Sequence, residues 1–228
     1  MTQTIRDFKY CIPKLLILLV TLYAMLMMLH WPVGFTFFTQ LSNLYAALVA
    51  GLQIAKPRSA GLAVVKYTAT VCITATFLVF LTVLAPLDPR GLVAAYAQDH
   101  CASLCMHFIT PVLTVWDFLA NDAGDLRPDR KLVPFAVLPP LLYYLMILML
   151  SMCGFRWNGK AAPYPFLNYD APAGWFGFMP ETADYTTLGI GVAYAVLGMV
   201  GVFLLLGFGL AAAARAVRKG RKSLQERS

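Results

Sequence analysis

The stretch Phe35-Thr36-Phe37-Phe38-Thr39-Gln40-Leu41-Ser42-Asn43 opens a run that continues without a charged residue to about Ile54. About 20 such residues cross the hydrocarbon of a bilayer as helix, so this run reads as a membrane span. Its first turns carry Thr39, Gln40, Ser42 and Asn43. Polar side chains at that depth are costly unless they face the bundle interior or water, which makes each a site candidate. Thr39 and Asn43 are four apart and share one helical face. A hydroxyl with an amide one turn away has the makings of a nucleophile and a positioning group. The plainer reading is that these hydroxyls bond to their own helix or to a neighbour.

The rest of the chain has the same character. Of 228 residues, 60% are hydrophobic and only 13% charged, beyond the ~45–50% apolar share of a soluble domain. Six runs are long enough to cross, at about residues 14–29, 35–54, 65–84, 101–119, 133–152 and 186–213. The expected fold is an all-α integral membrane protein, one domain built as a bundle of six transmembrane helices. The first run ends at His30-Trp31-Pro32 with no small-residue cleavage site, and reads as an uncleaved span with an interfacial belt. The threonines of the third run and the glycines of the last suit close helix packing. Residues 154–185 form the one long connection, rich in aromatics, Gly and Pro. It reads as a headgroup-level piece over the outer mouth of the bundle, either a lid or an interfacial belt.

The net charge of +7 is explained by topology. With six spans, the even loops and both ends share a side, and that side holds fifteen of the 18 Lys and Arg residues. Arg90, Arg156 and Lys160 lie on the other. The positive-inside rule therefore places both termini in the cytoplasm of a cell membrane, with residues 215–228 as a basic tail touching anionic headgroups. No basic patch interleaved with aromatics accompanies this charge, so a nucleic-acid partner is not expected.

Cys11, Cys72, Cys101, Cys105 and Cys153 do not form paired clusters of zinc-ligand spacing. No metal and no organic cofactor is expected, and a disulfide among Cys101, Cys105 and Cys153 is left open.

In a six-span topology the second and fourth helices both enter from the outer face. Thr39 then lies about 6 Å below that face and His107 about 9 Å below it. A histidine at the depth of a threonine is the minimum of an activated nucleophile, His107 taking the hydroxyl proton and Thr39 attacking an ester carbonyl. The alternative of equal weight is that His107 serves only as a hydrogen-bonding group between helices. Asp117 lies ten residues beyond His107, about 15 Å along the helix, out of direct reach. It is expected to pair with Arg58 or Lys66, or to reach the interface. Asn43, Ser42, His30 and Tyr185 are the residues placed to orient the pair.

Three segments carry a resemblance: Phe38-Thr39-Gln40-Leu41-Ser42-Asn43, Met106-His107-Phe108-Ile109-Thr110-Pro111 leading to Trp116-Asp117, and Tyr164-Pro165-Phe166-Leu167. With six spans, they resemble a bacterial branch of the androgen-induced and androgen-dependent TFPI-regulating membrane proteins. That resemblance implies an intramembrane threonine–histidine hydrolase, whose animal members cleave fatty acid esters of hydroxy fatty acids. By motif, Thr39 answers to the threonine and His107 to the histidine. The Asn comes one position later than in the animal proteins, which leaves Thr36 as a fallback nucleophile, and the His107-to-Pro111 spacing is one shorter.

The expected function is thus intramembrane lipid-ester hydrolysis by Thr39 and His107, with donors near Asn43 and Ser42 stabilising the oxyanion. The expected partners are a fatty-acyl ester and the bilayer. The rivals are a non-catalytic lipid-binding or transport protein with a polar cavity, and a scaffold that binds partners through its last helix.

Overall fold

The computed structural model describes residues 3–57, 59–84, 97–124, 126, 130–183 and 189–225. They form helices and turns, with two isolated bridges, Trp157–Lys160 and Phe178–Ile190, and no strand among the described residues. The helices are α1 (Gln3–Met27), α2 (Phe38–Ala55), α3 (Ala60–Val79), α5 (Leu138–Met152) and α6 (Val192–Gln225). Between α3 and α5 lies α4 (98–122), assembled from Gln98–Leu104, Cys105–Ile109, Thr110–Asp117 and Phe118–Asp122 and kinked near its start, where Asp99, His100 and Cys101 have positive φ. Among the described residues, five helical stretches are long and apolar enough to cross a membrane: Phe8–Met27, Ala60–Thr82, Asp99–Asp122, Lys131–Met152 and Val192–Arg221. The 18 residues of α2 are not among them, because Gln40, Ser42, Asn43 and Gln53 dilute its apolar character.

Two compact units divide the chain: Met1–Ala136 with Leu206–Ser228, and Val137–Leu205. The first contains α1 to α4. Side-chain bonds at two levels, with an apolar cluster at one of them, show that α1 and α3 run one way and α4 the other. At one level Ser42 of α2 meets Thr76 of α3, and Asn43 of α2 meets the Met106 carbonyl of α4. At the other, Lys14 of α1 and Lys66 of α3 both reach Asp117 of α4. An apolar cluster of Ala24, Met25, Met28, Ala102, Cys105 and Met106 closes the Asn43 end.

The exterior of this unit carries large apolar side chains while its interior holds polar ones among the core. On α1, Leu15, Leu19, Leu22 and Leu26 are exposed while Lys14 and Thr21 are buried. In water that arrangement would cost hydrophobic stabilisation on one face and desolvation on the other. In a bilayer, lipid covers the leucines and the polar groups satisfy one another inside.

Several helix ends depart from the sequence reading, among them the start of α3 at Ala60 against about 65 and that of α5 at Leu138 against about 133. The second helix starts at Phe38 and not at Phe35, because Pro32–Thr36 form a 3-10 turn and Phe37 is extended. Pro32 suits the first position of that turn, and the Trp31 and Phe37 rings lie 5.1 Å apart across it. The first helix extends upstream through Pro13 to Gln3. Tyr10, one turn before Lys14, holds that end by bonding Asp122 and lying under the Lys14 ammonium. Residues 215–225 are not a separate tail, because α6 continues through them. Arg218 donates to the Leu126 carbonyl and Arg221 to the Ala120 carbonyl, which fixes this turn of α6 against the end of α4.

In the second unit, α5 follows a 3-10 turn, Arg130–Val137, and Pro139 and Pro140 occupy its first turn, where missing N–H groups cost least. The long connection then folds on itself. Ser151 bonds the Tyr169 hydroxyl, Tyr164 stacks on Phe166 and Tyr169 on Trp175. Met179 N–H donates to the Gly189 carbonyl, and Gly189 has φ +64°, a conformation that suits glycine. Val192 N–H donates to Gly174 O and Ala193 N–H to Trp175 O, so the connection is stitched to the first turn of α6. Phe176 and Phe178, each 72% exposed, stand on this stitched segment.

Candidate functional site

Thr39 occupies the first turn of α2, where backbone N–H groups have no carbonyl one turn back to bond. Its own carbonyl is held twice. Asn43 Nδ2 donates to it at 2.8 Å and Ser42 Oγ at 3.0 Å. The second Asn43 amide hydrogen goes to the Met106 carbonyl at 3.0 Å. Both partners are carbonyls, which settles the orientation of the amide group. One fully buried nitrogen therefore ties the turn bearing Thr39 to the residue before His107. Ser42 Oγ also lies 2.9 Å from Thr76 Oγ1, and in this bond one of the two hydroxyls gives its proton to the other in place of its own helix carbonyl, which joins α3 to the same level.

His107 sits in a π-helical turn, Cys105–Ile109, just ahead of Pro111. Such one-residue insertions re-aim side chains and recur at functional sites. The ring Nδ1 lies 2.9 Å from the Ser103 carbonyl and 3.3 Å from Ser103 Oγ. A carbonyl only accepts, so Nδ1 carries the proton and Nε2 keeps its lone pair. Phe80, in a second π-turn at Phe80–Leu84, stacks on the imidazole with centroids 4.0 Å apart.

Thr39 and His107 are on two helices joined at this level by Asn43, but they share no hydrogen bond among the described residues. Asn43 spends both amide hydrogens on carbonyls, so it positions α2 against α4 and has none left for an oxyanion. Ser42 is likewise engaged. Of the other residues considered from sequence, His30 is exposed, bonds the Met27 carbonyl and lies 3.9 Å from Asp99. Thr36 bonds the Val33 carbonyl, and Tyr185 and Arg58 lie outside the described residues. All five cysteines are free thiols.

A second polar centre lies at the opposite level. Asp117 accepts from Lys14 at 2.8 and 3.1 Å, from Lys66 at 2.7 Å and from Asn121 at 2.9 Å. Lys14 also reaches Asp122 at 3.3 Å, and Tyr10 donates to the same carboxylate at 3.2 Å. Lys14, Lys66 and Asp117 are completely buried. The pairing with Lys66 is the one expected for Asp117. The parts of Lys14, Asp122 and Tyr10 were not anticipated, since their sequence positions read as helix ends at the membrane interface. The only signal was their charge at the edge of apolar runs. Two lysines and two aspartates balance, which lowers the cost of burying ions away from water. No family model, curated protein or solved structure matches this chain.

Proposed function

We propose that this protein is an intramembrane lipid-ester hydrolase in which Thr39 is the nucleophile and His107 the base. The observation that carries the reading is the Asn43 side chain, which holds the Thr39 turn and the Met106–His107 turn together across two helices. The reading also has the support of the Ser103 bond, which leaves Nε2 of His107 as the basic nitrogen.

His107 Nε2 takes the Thr39 hydroxyl proton as Oγ attacks the ester carbonyl. The backbone N–H groups of Thr39 and Gln40, in the first turn of α2, face the developing oxyanion with the positive end of the helix dipole. The intermediate collapses, the leaving alcohol receives the proton from His107, and the acyl group stays on Thr39. Water then attacks that ester, giving its proton to His107. Thr39 Oγ leaves with the proton and a carboxylic acid is released. An ester of a long-chain fatty acid is the substrate class that a bilayer-embedded site meets.

The architecture belonging to this function has six spans, with α2 as the sixth. Its 18 residues extend about 27 Å, close to the hydrocarbon thickness. In this reading both termini are cytoplasmic, which the distribution of Lys and Arg supports, and the site opens toward the outer leaflet of a bacterial cell membrane.

The test is labelling with a fluorophosphonate hydrolase probe, mapped by mass spectrometry, alongside a panel of fatty-acyl esters. A Thr39 adduct that vanishes in Thr39→Ala and His107→Ala is expected. Absence of both adduct and ester cleavage in folded protein refutes the hydrolase.

A further inference from the structure

Buried threonines in this unit fall into two groups. On α3, Thr68, Thr70 and Thr76 have a backbone carbonyl three or four residues back as hydrogen-bond partner. Thr21 on α1 and Thr110 and Thr114 on α4 do not. They are 2%, 0% and 0% exposed, and their Oγ1 atoms have no partner among the described residues. Asn43 Oδ1 is in the same condition. Gln40 Oε1, Gln53 Oε1 and the Tyr67 hydroxyl bring the number in this unit to seven among the described residues, and a buried oxygen left alone is rare enough in a folded protein that these point to something that binds them.

They are also in register. Lys14 and Asp117 touch, on helices that run in opposite directions. Thr21 is seven residues beyond Lys14 and Thr110 is seven residues before Asp117. Seven residues are two turns, so both hydroxyls lie on the faces that meet at the ion pair, each about 10 Å along from it. Thr114 is about 4.5 Å from Asp117 along the same face, and Met106, whose carbonyl Asn43 holds, about 16 Å. The oxygens of Thr114, Thr110, Thr21 and Asn43 thus form a ladder from the ion cluster to the candidate site.

The ligand they suit is water. Water needs two to four polar partners and is small enough for a closed helical interior. A cation has no carboxylate to meet on the ladder itself, and the nearby cluster is already neutral. We infer that this ladder binds a file of water molecules, and that the file supplies the water that hydrolyses the acyl-Thr39 ester. Binding of the water stands by itself, whereas its use rests on the hydrolase reading. The chemistry requires such a supply. The acyl substrate comes from hydrocarbon, and every turnover consumes one water molecule, whose proton passes to His107 and on to Thr39 Oγ.

The experiment is X-ray radiolysis of the intact protein in nanodiscs prepared in H218O, together with single-turnover hydrolysis of a fatty-acyl ester. Radicals born on a bound water oxidise the side chain beside it. Met106 is only 1% exposed, and its carbonyl is held by Asn43, whose Oδ1 ends the ladder, so the file brings water to this residue of the apolar cluster and it is oxidised with 18O in the wild type, as exposed Met152 is. The double substitution Thr110→Val with Thr114→Val keeps side-chain shape and removes the hydroxyls. It lowers Met106 oxidation, spares Met152, leaves the rate of fluorophosphonate labelling unchanged and slows deacylation by about tenfold, so that acyl-Thr39 accumulates. Wild-type Met106 that stays unoxidised while Met152 is oxidised overturns the water file. Met106 oxidation with unchanged deacylation in the variant overturns its role as the supply. If no adduct or acyl-enzyme forms in any sample, the hydrolase reading falls, and Met106 oxidation alone decides the water file.

Discussion

Lys14 and Asp117, 103 residues apart, meet at 2.8 Å with both side chains fully excluded from solvent. The contact closes α1 onto α4, and Lys66 brings α3 to the same carboxylate. Burying such ions is expensive, and it succeeds here because every charge has an opposite neighbour and the carboxylate also accepts from Asn121. The lysine and aspartate near the edges of apolar runs thus form the polar knot of the bundle.

Asp117→Asn is expected to be the most damaging substitution in this knot. It leaves two buried ammonium groups facing only Asp122, and breaking a buried ion pair from one side costs about 3–5 kcal/mol. Lys66→Met is expected to cost less, because Asp117 keeps Lys14 and Asn121. Thermal unfolding in detergent, followed by tryptophan fluorescence, gives the order. Equal losses would contradict this account.

Asn43→Ala removes both links between the Thr39 turn and the Met106 carbonyl. Loss of about 1–3 kcal/mol is expected, since two carbonyls lose donors. Labelling of Thr39 by the fluorophosphonate probe should fall in a sample that remains helical by circular dichroism. Retention of full labelling would show that Asn43 does not position the nucleophile.

Ser42→Ala is expected to be milder, about 0.5–1.5 kcal/mol, because the Thr39 carbonyl keeps Asn43 and Thr76 keeps the Cys72 carbonyl. A double-mutant cycle with Thr76→Val measures the bond directly. A coupling energy of zero would mean that the 2.9 Å contact adds no stability.

Ser103→Ala is expected to leave most of the activity, within about fivefold, because the acceptor that orients His107 is the backbone carbonyl at 2.9 Å. His107→Gln should abolish hydrolysis. A Ser103→Ala variant as inactive as His107→Gln would move the orienting role to the hydroxyl.

Gly207→Val is expected to loosen the α6 portion of the first unit. A Cβ at Gly207 would lie 2.8 Å from the Tyr67 hydroxyl and 3.0 Å from Ala136 Cβ. Overpacking of this kind costs about 1–3 kcal/mol. Hydrogen exchange over residues 206–225 reports it, and unchanged protection there would argue against the tight approach.

Run length and composition alone settle that the chain is helical and suited to a bilayer, because lipid leaves the backbone few other ways to satisfy its polar groups. The motif around Thr39, Ser42 and Asn43, and the one around His107, could also be picked out from residue type and depth. Helix ends were less legible. Phe37 is extended because a Trp31–Phe37 contact and a proline turn precede it, and α6 continues to Gln225 because Arg221 finds a carbonyl on α4 and Arg218 one just beyond it. What each polar residue touches was decided only by the tertiary structure. Asn43 looks like an oxyanion donor until its two hydrogens are seen on the carbonyls of Thr39 and Met106. Lys14 reads as an interfacial anchor until α1 and α4 bring it to Asp117. The physical reason is common to both: a hydrogen bond is specified by angles and distances between helices, and residue type sets only which groups can donate or accept.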